Sequence, residues 1–159
     1  MKDFPAFIGF LTAHAVWSVS DGGPLIPFVG IESDGKRDVH RFASEMLEEG
    51  VQKAREYFLQ QQKRPGLALL AFDGFVTLEA GKIDAVIVEA ADSRSPTGSA
   101  VFAIPYRPAD HAKGFAVHRP KFMELKVTDP DGFTEDFWNG VDSHEQAAKV
   151  WNDHLDQSI

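Results

Sequence analysis

Between Gly66 and Val127 the chain offers one strand-like segment after another, with no helix-length stretch between them. Residues 67–79 and 82–91 are rich in Leu, Val, Ile and Phe at a period of two, and Ala80-Gly81 supplies a short turn between them. Residues 99–107 continue the pattern with Ala100, Phe102, Ile104 and Tyr106 on one face, and 115–117 and 122–127 offer one or two more strands around Arg119-Pro120. Parallel neighbours need a crossover of about a dozen residues or more, so this run can fold only as an antiparallel meander. Such a sheet has an apolar face, and helices from elsewhere in the chain must cover it. Asp73-Gly74, inside the first of these strands, predicts a bulge.

The remaining segments supply that cover. Phe4, Phe7, Ile8, Leu11 and Ala15 recur at helical spacing behind Asp3 as a cap, and Asp21-Gly22-Gly23-Pro24 ends the element. Ala13, Ala15, Trp17 and Val19 also alternate, which leaves a strand over 12–20 as the competing reading. With that strand the element order resembles longin- or profilin-type scaffolds, in order alone. Residues 25–32 read as a strand that starts late or lies at an edge, because Pro27 cannot donate to a ladder. Val39, Phe42, Ala43, Met46, Leu47, Val51, Ala54, Tyr57 and Phe58 form one apolar stripe behind Asp38, predicting a long helix that stops before Pro65-Gly66. Asp at Phe58 or Met46 is then expected to unfold the domain. Asp129-Pro130-Asp131-Gly132 reads as a turn. Ser143 and Gln146 form a capping box for a last helix that buries Ala147, Val150, Trp151, His154 and Leu155. The expected fold is a single α+β domain over 1–159. It is a two-layer sandwich in which the long central helix and the N- and C-terminal helices cover one face of an antiparallel sheet of about four to six strands.

Composition narrows the function classes. A chain of 159 residues buries about 69 % of its extended surface, enough for a core without staples. The absence of Cys removes disulfides, thiol catalysis and zinc–thiolate sites, and fits a cytoplasmic protein. Lys2, the run Phe4 to Leu11 and Ala13-His14-Ala15 imitate a secretory leader, but Asp3 offsets Lys2 and Pro5 interrupts the run. No apolar stretch reaches the roughly 18 residues of a membrane span. A net charge of −8 disfavours nucleic acid and acidic membranes as partners. The charge is uneven: Asp129, Asp131, Glu135, Asp136, Asp142, Glu145, Asp153 and Asp156 crowd the C-terminal segment against Lys149, so a basic protein is a possible partner.

No linear motif carries a chemistry. His14, His40, His111, His118, His144 and His154 show no metal-ligand spacing, and no glycine-rich loop fits a phosphate, so neither a metal nor a cofactor is expected. Asp84 and Glu89 have the wrong parity to share a strand face as the metal-binding acids of a nuclease, and Ala91 stands where that pattern has Lys. Thirteen Phe, three Trp and two Tyr point to an interaction domain, most simply a homodimer that covers some of them. The competing reading is a ligand pocket at the end of the first element, built from Trp17, Asp21, Asp73, Tyr106 and Arg107.

Overall fold

The computed structural model describes residues 3–96 and 98–159; Lys2, the base of the leader-like stretch, lies outside them. Four helices are α1 (Asp3–Val19), α2 (Leu47–Gln61), α3 (Pro130–Ser143) and α4 (Glu145–Asp153). The strands are β1 (Phe28–Ser33), β2 (Lys36–Arg41), β3 (Leu67–Leu78), β4 (Gly81–Asp92), β5 (Gly98–Arg107), β6 (Ala116–Val117) and β7 (Lys121–Lys126). All pair antiparallel in the order β2-β1-β3-β4-β5, with β6 and β7 sharing the far edge of β5. The fold is α+β, and the expected meander is its centre. Seven strands exceed the expected number because the short segments after β5 form two strands and β2 adds one that the helix reading had absorbed.

Strands β3 and β4 pair without interruption from Leu67↔Asp92 to Leu78↔Gly81, so Asp73-Gly74 forms no bulge. The irregularity falls instead between Val101 and Phe102, where β5 bonds β7. A strand serving two separate short partners along one edge takes up their mismatch there.

Helix α1 runs unbroken to Val19, which decides residues 12–20 for helix and sets aside the longin- or profilin-type order. Phe4, Phe7, Ile8, Leu11, Ala13, Ala15, Val16 and Val19 are all at most 3 % exposed. A helix apolar on nearly every side must be covered on nearly every side. One side packs on Leu69, Ala71, Val86 and Val88 of the sheet, and the other on Phe137, Val141 and Trp151 of α3 and α4. Helices α1 and α3 approach so closely that a Cβ on Gly9 would overlap the Phe137 carbonyl, and one on Gly140 the Ala6 carbonyl.

Helix α2 is shorter than the apolar stripe implied. Asp34 and Gly35 take positive φ (53° and 78°), making a two-residue hairpin turn that returns residues 36–41 along β1. Asp38 and Val39 therefore lie in β2, and Met46, at the mouth of α2, is 56 % exposed. Asp at Met46 should be tolerated, whereas Phe58 is 5 % exposed and keeps its expected role. Ala54 and Phe58 pack on Val29, Ala68 and Leu70, the residues that alternate with those facing α1. Thus α2 covers the opposite face of the sheet from α1, α3 and α4, because β1 and the first half of β3 are apolar on both faces.

Asp129-Pro130-Asp131-Gly132 is a helix start rather than a turn. Asp129 accepts from the Gly132 N–H at 3.0 Å, and Pro130 occupies the first turn, where its missing N–H costs nothing. Phe133, Phe137 and Val141 then recur every four residues on the buried side of α3. The cap of α4 is His144, whose Nδ1 accepts from the Ala147 N–H, while Ser143 bonds back to the Gly140 carbonyl. Ala147, Ala148 and Trp151 are buried; Leu155 stays 42 % exposed because α4 ends at Asp153 and residue 155 bridges to Val117.

A carboxylate is buried at the end of β4. Asp92 is 1 % exposed and receives Arg94 Nε at 2.9 Å and Nη2 at 3.0 Å, while Arg94 Nη1 reaches Asp3 at 2.8 Å. Removing one partner of a buried pair leaves an uncompensated charge. Because Arg94 is itself 38 % exposed, Arg94→Met should cost about 2 kcal/mol by urea denaturation, below the fully buried range. Adding Asp92→Asn should recover part of the loss.

Candidate functional site

The open strip of α1 carries Phe10, His14 and Trp17, spaced by four and three residues and so aligned on one face. Strand β2 passes beside this strip. Its pairing sets Arg41 opposite Phe28 and Arg37 opposite Glu32, so Arg37, Val39 and Arg41 share the face that α1 covers. His144, at the junction of α3 and α4, closes the third side, with its ring 4.9 Å from Phe10, 5.4 Å from His14 and 5.4 Å from Trp17.

The one contact in this corner with a fixed donor, a backbone N–H, orders the protons of two neutral rings. His144 Nδ1 accepts from the Ala147 N–H, so the proton of the neutral ring sits on Nε2. That Nε2–H donates to His14 Nδ1 at 3.2 Å. His14 therefore carries its own proton on Nε2, which faces Arg41 Nη2 at 3.4 Å. Two donors thus meet, and a guanidinium can never accept. Among the described residues Arg41 forms no ion pair, in contrast to Arg37, which bonds Glu32 at 2.9 Å and lies over the Phe10 ring. Beside the two donors opens a cleft walled by Pro24, Leu25, Ile26 and Phe28.

Both imidazoles are held neutral. Burial pushes the His14 pKa below its ordinary value, and the neighbouring His144 and Arg41 push it further the same way. Burial likewise lowers His144. A histidine with a lowered folded pKa binds fewer protons folded than unfolded, so its contribution is intact above the unfolded value near 6.5 and declines as pH falls below it. Denaturant titrations at pH 7.5 and 5.5 should show the wild type losing stability at the lower pH, and His14→Gln should lose less. An equal loss in both would exclude His14 as the source.

The five pocket residues expected from sequence are distributed differently. Asp73 and Tyr106 are brought together, with the Tyr106 hydroxyl donating to Asp73 Oδ1 at 2.7 Å. Burial pushes the Asp73 carboxyl up; the Tyr106 bond opposes this and the Asp84 charge adds to it. Burial and the Asp73 bond push the Tyr106 hydroxyl up strongly as well. Trp17 makes its ring contacts with His14 and His144, not with this pair. Asp21 accepts from the Gly23 N–H at 2.9 Å and shapes its own turn. Arg107 is spent on the Gly114 carbonyl at 2.8 Å and on Asp156 at 3.7 Å. His14, Arg41 and His144 share no linear signal, because His14 and His144 lie 130 positions apart and Arg41 falls inside the apolar stripe that predicts a helix, whereas it lies in β2.

Among the described residues no three His, Asp or Glu side chains converge as metal ligands, and no helix is long and apolar enough to cross a membrane. No protein-family model, characterised protein or solved structure matches the chain.

Proposed function

We propose that this chain is a binding domain for an organic carboxylate, with the anionic group held between His14 and Arg41 and the apolar body in the cleft of Pro24, Leu25, Ile26 and Phe28. The observation that carries the reading is the 3.4 Å approach of His14 Nε2 to Arg41 Nη2, which the Ala147 N–H bond to His144 Nδ1, relayed through two neutral rings, turns into a meeting of two donors. A carboxylate placed there accepts from both, and hydrogen bonds to a charged group are the stronger kind. One fixed charge plus one neutral donor suits a monoanion better than a phosphate dianion.

The test is a titration with acetate and then with longer alkanoates, followed by the imidazole NMR signals of His14 and His144. Saturable shifts at both rings, with affinity rising along the alkanoate series, are expected. Shifts no larger than those caused by chloride at equal ionic strength would sink the reading. Two further expectations belong to the same proposal: a homodimer and, for the acidic C-terminal segment, a basic protein partner. A native mass spectrum at twice the chain mass would add the homodimer. A cytoplasmic setting suits a cysteine-free domain of this kind.

A further inference from the structure

Strand β2 ends the sheet, and its outer edge has no partner strand among the described residues. The Phe42 N–H bonds the Pro27 carbonyl, which continues the β1–β2 ladder past Arg41 and fixes its alternation. Lys36, Asp38 and His40 therefore turn their backbone groups toward β1, whereas Arg37, Val39 and Arg41 turn theirs outward. The same three residues present their side chains on the α1 face, beside Phe10 and His14. In a chain of net charge −8, this edge holds Lys36, Arg37 and Arg41 against Asp38 alone.

We infer that the β2 edge accepts an extended acidic segment of another polypeptide as an eighth strand. Charge complementarity selects this occupant. Antiparallel self-pairing of β2 with a second copy must oppose outward-turned residues to one another, so a two-fold at Val39 sets Arg37 against Arg41 twice, placing like charges directly opposite one another. An acidic segment instead meets cations along the edge while its backbone bonds Arg37, Val39 and Arg41. The side chains that reach the α1 face repeat every second residue. The favoured pattern is therefore an acid opposite Arg41, an apolar residue opposite Val39 and an acid opposite Arg37. The identity of the anion at His14 as a side-chain carboxylate of such a segment rests on the carboxylate-binding reading above; the strand addition does not.

The probe is the acetylated, amidated peptide Thr-Glu-Thr-Val-Thr-Glu-Thr, with the Lys-for-Glu peptide as control. Saturable binding of the acidic peptide only, with slowed hydrogen exchange at the amides of Arg37, Val39 and Arg41, is expected. Val39→Pro removes one outward N–H without touching the β1 ladder, and should weaken binding at least tenfold. Should that variant misfold, peptides N-methylated in turn at each amide give the same readout on the wild-type chain, and methylation at bonded positions should weaken binding to the same degree. Absence of binding, binding indifferent to N-methylation at every position, or unprotected β2 amides would overturn the inference. So would protection of those amides by dimerisation of the chain alone. Acetate shifts at His14 without peptide binding would remove the strand addition and leave the carboxylate site. Peptide binding with protected amides but no acetate response would do the reverse.

Discussion

Gly140→Ala is expected to destabilise the protein by about 3 kcal/mol, lowering the unfolding midpoint by roughly 6–12 °C. The direction is informative because intrinsic propensity predicts the opposite. Ala in a helix interior is favoured over Gly by about 1 kcal/mol, so an unconstrained site would gain stability. At Gly140 the new methyl meets the backbone of Ala6, and a backbone cannot rotate aside as a side chain can. Helices α1 and α3 must separate, which opens the layer in which Phe137, Val141 and Trp151 pack on α1. Gly9→Ala strikes the Phe137 carbonyl across the same crossing and should cost as much. The two substitutions share one contact, so together they should cost clearly less than the sum. Asn139→Ala, on the exposed side of α3, is the control and should leave the midpoint unchanged or slightly raised. A neutral Gly140→Ala would mean that α1 and α3 do not cross at these glycines.

That crossing also marks where the sequence is legible and where it is not. The meander could be read because period-two patterning and short connections are local properties, and β3 to β5 follow them with ends shifted by a residue or so. Helix α1 was legible for the same reason. Helix α3 was missed although its signals are local: Asp129 followed by Pro130 is a cap and a first helical residue as well as a turn, and only Phe133, Phe137 and Val141 at four-residue spacing decide between them. The β2 error has a similar source. Val39 fits the apolar stripe of the following helix, but Asp34-Gly35 between two possible strands is a strong short-range hairpin signal and prevails. The candidate site was legible only in Trp17. The proton order from Ala147 through His144 and His14 to Arg41 depends on helix capping, on the entry of β2 beside α1 and on a contact spanning most of the chain. None of these leaves a spacing that a sequence can display.

Arg41→Glu should separate the cost of that arrangement from its use. A glutamate in place of the guanidinium gives the His14 Nε2–H an acceptor, so the corner becomes satisfied within the protein. The pKa of His14 should then rise, since a carboxylate favours the imidazolium that Arg41 opposes. The variant should be more stable than wild type, and the margin should widen as pH falls through the ordinary histidine range, because a raised folded pKa adds stability below it. Carboxylate binding should weaken at least a hundredfold, about 2.8 kcal/mol, as the site loses the Arg41 guanidinium and acquires a competing anion. Arg41→Gln keeps a donor but no charge, and should fall between the two in affinity. Denaturation at two pH values and the acetate titration together decide the matter. Loss of stability along with affinity would make Arg41 a structural residue, and unchanged affinity would place the anion elsewhere. A gain in stability with a loss of binding is the outcome that fits a protein holding two donors face to face for a ligand, since strain kept at a functional site is relieved by the substitution that disables it.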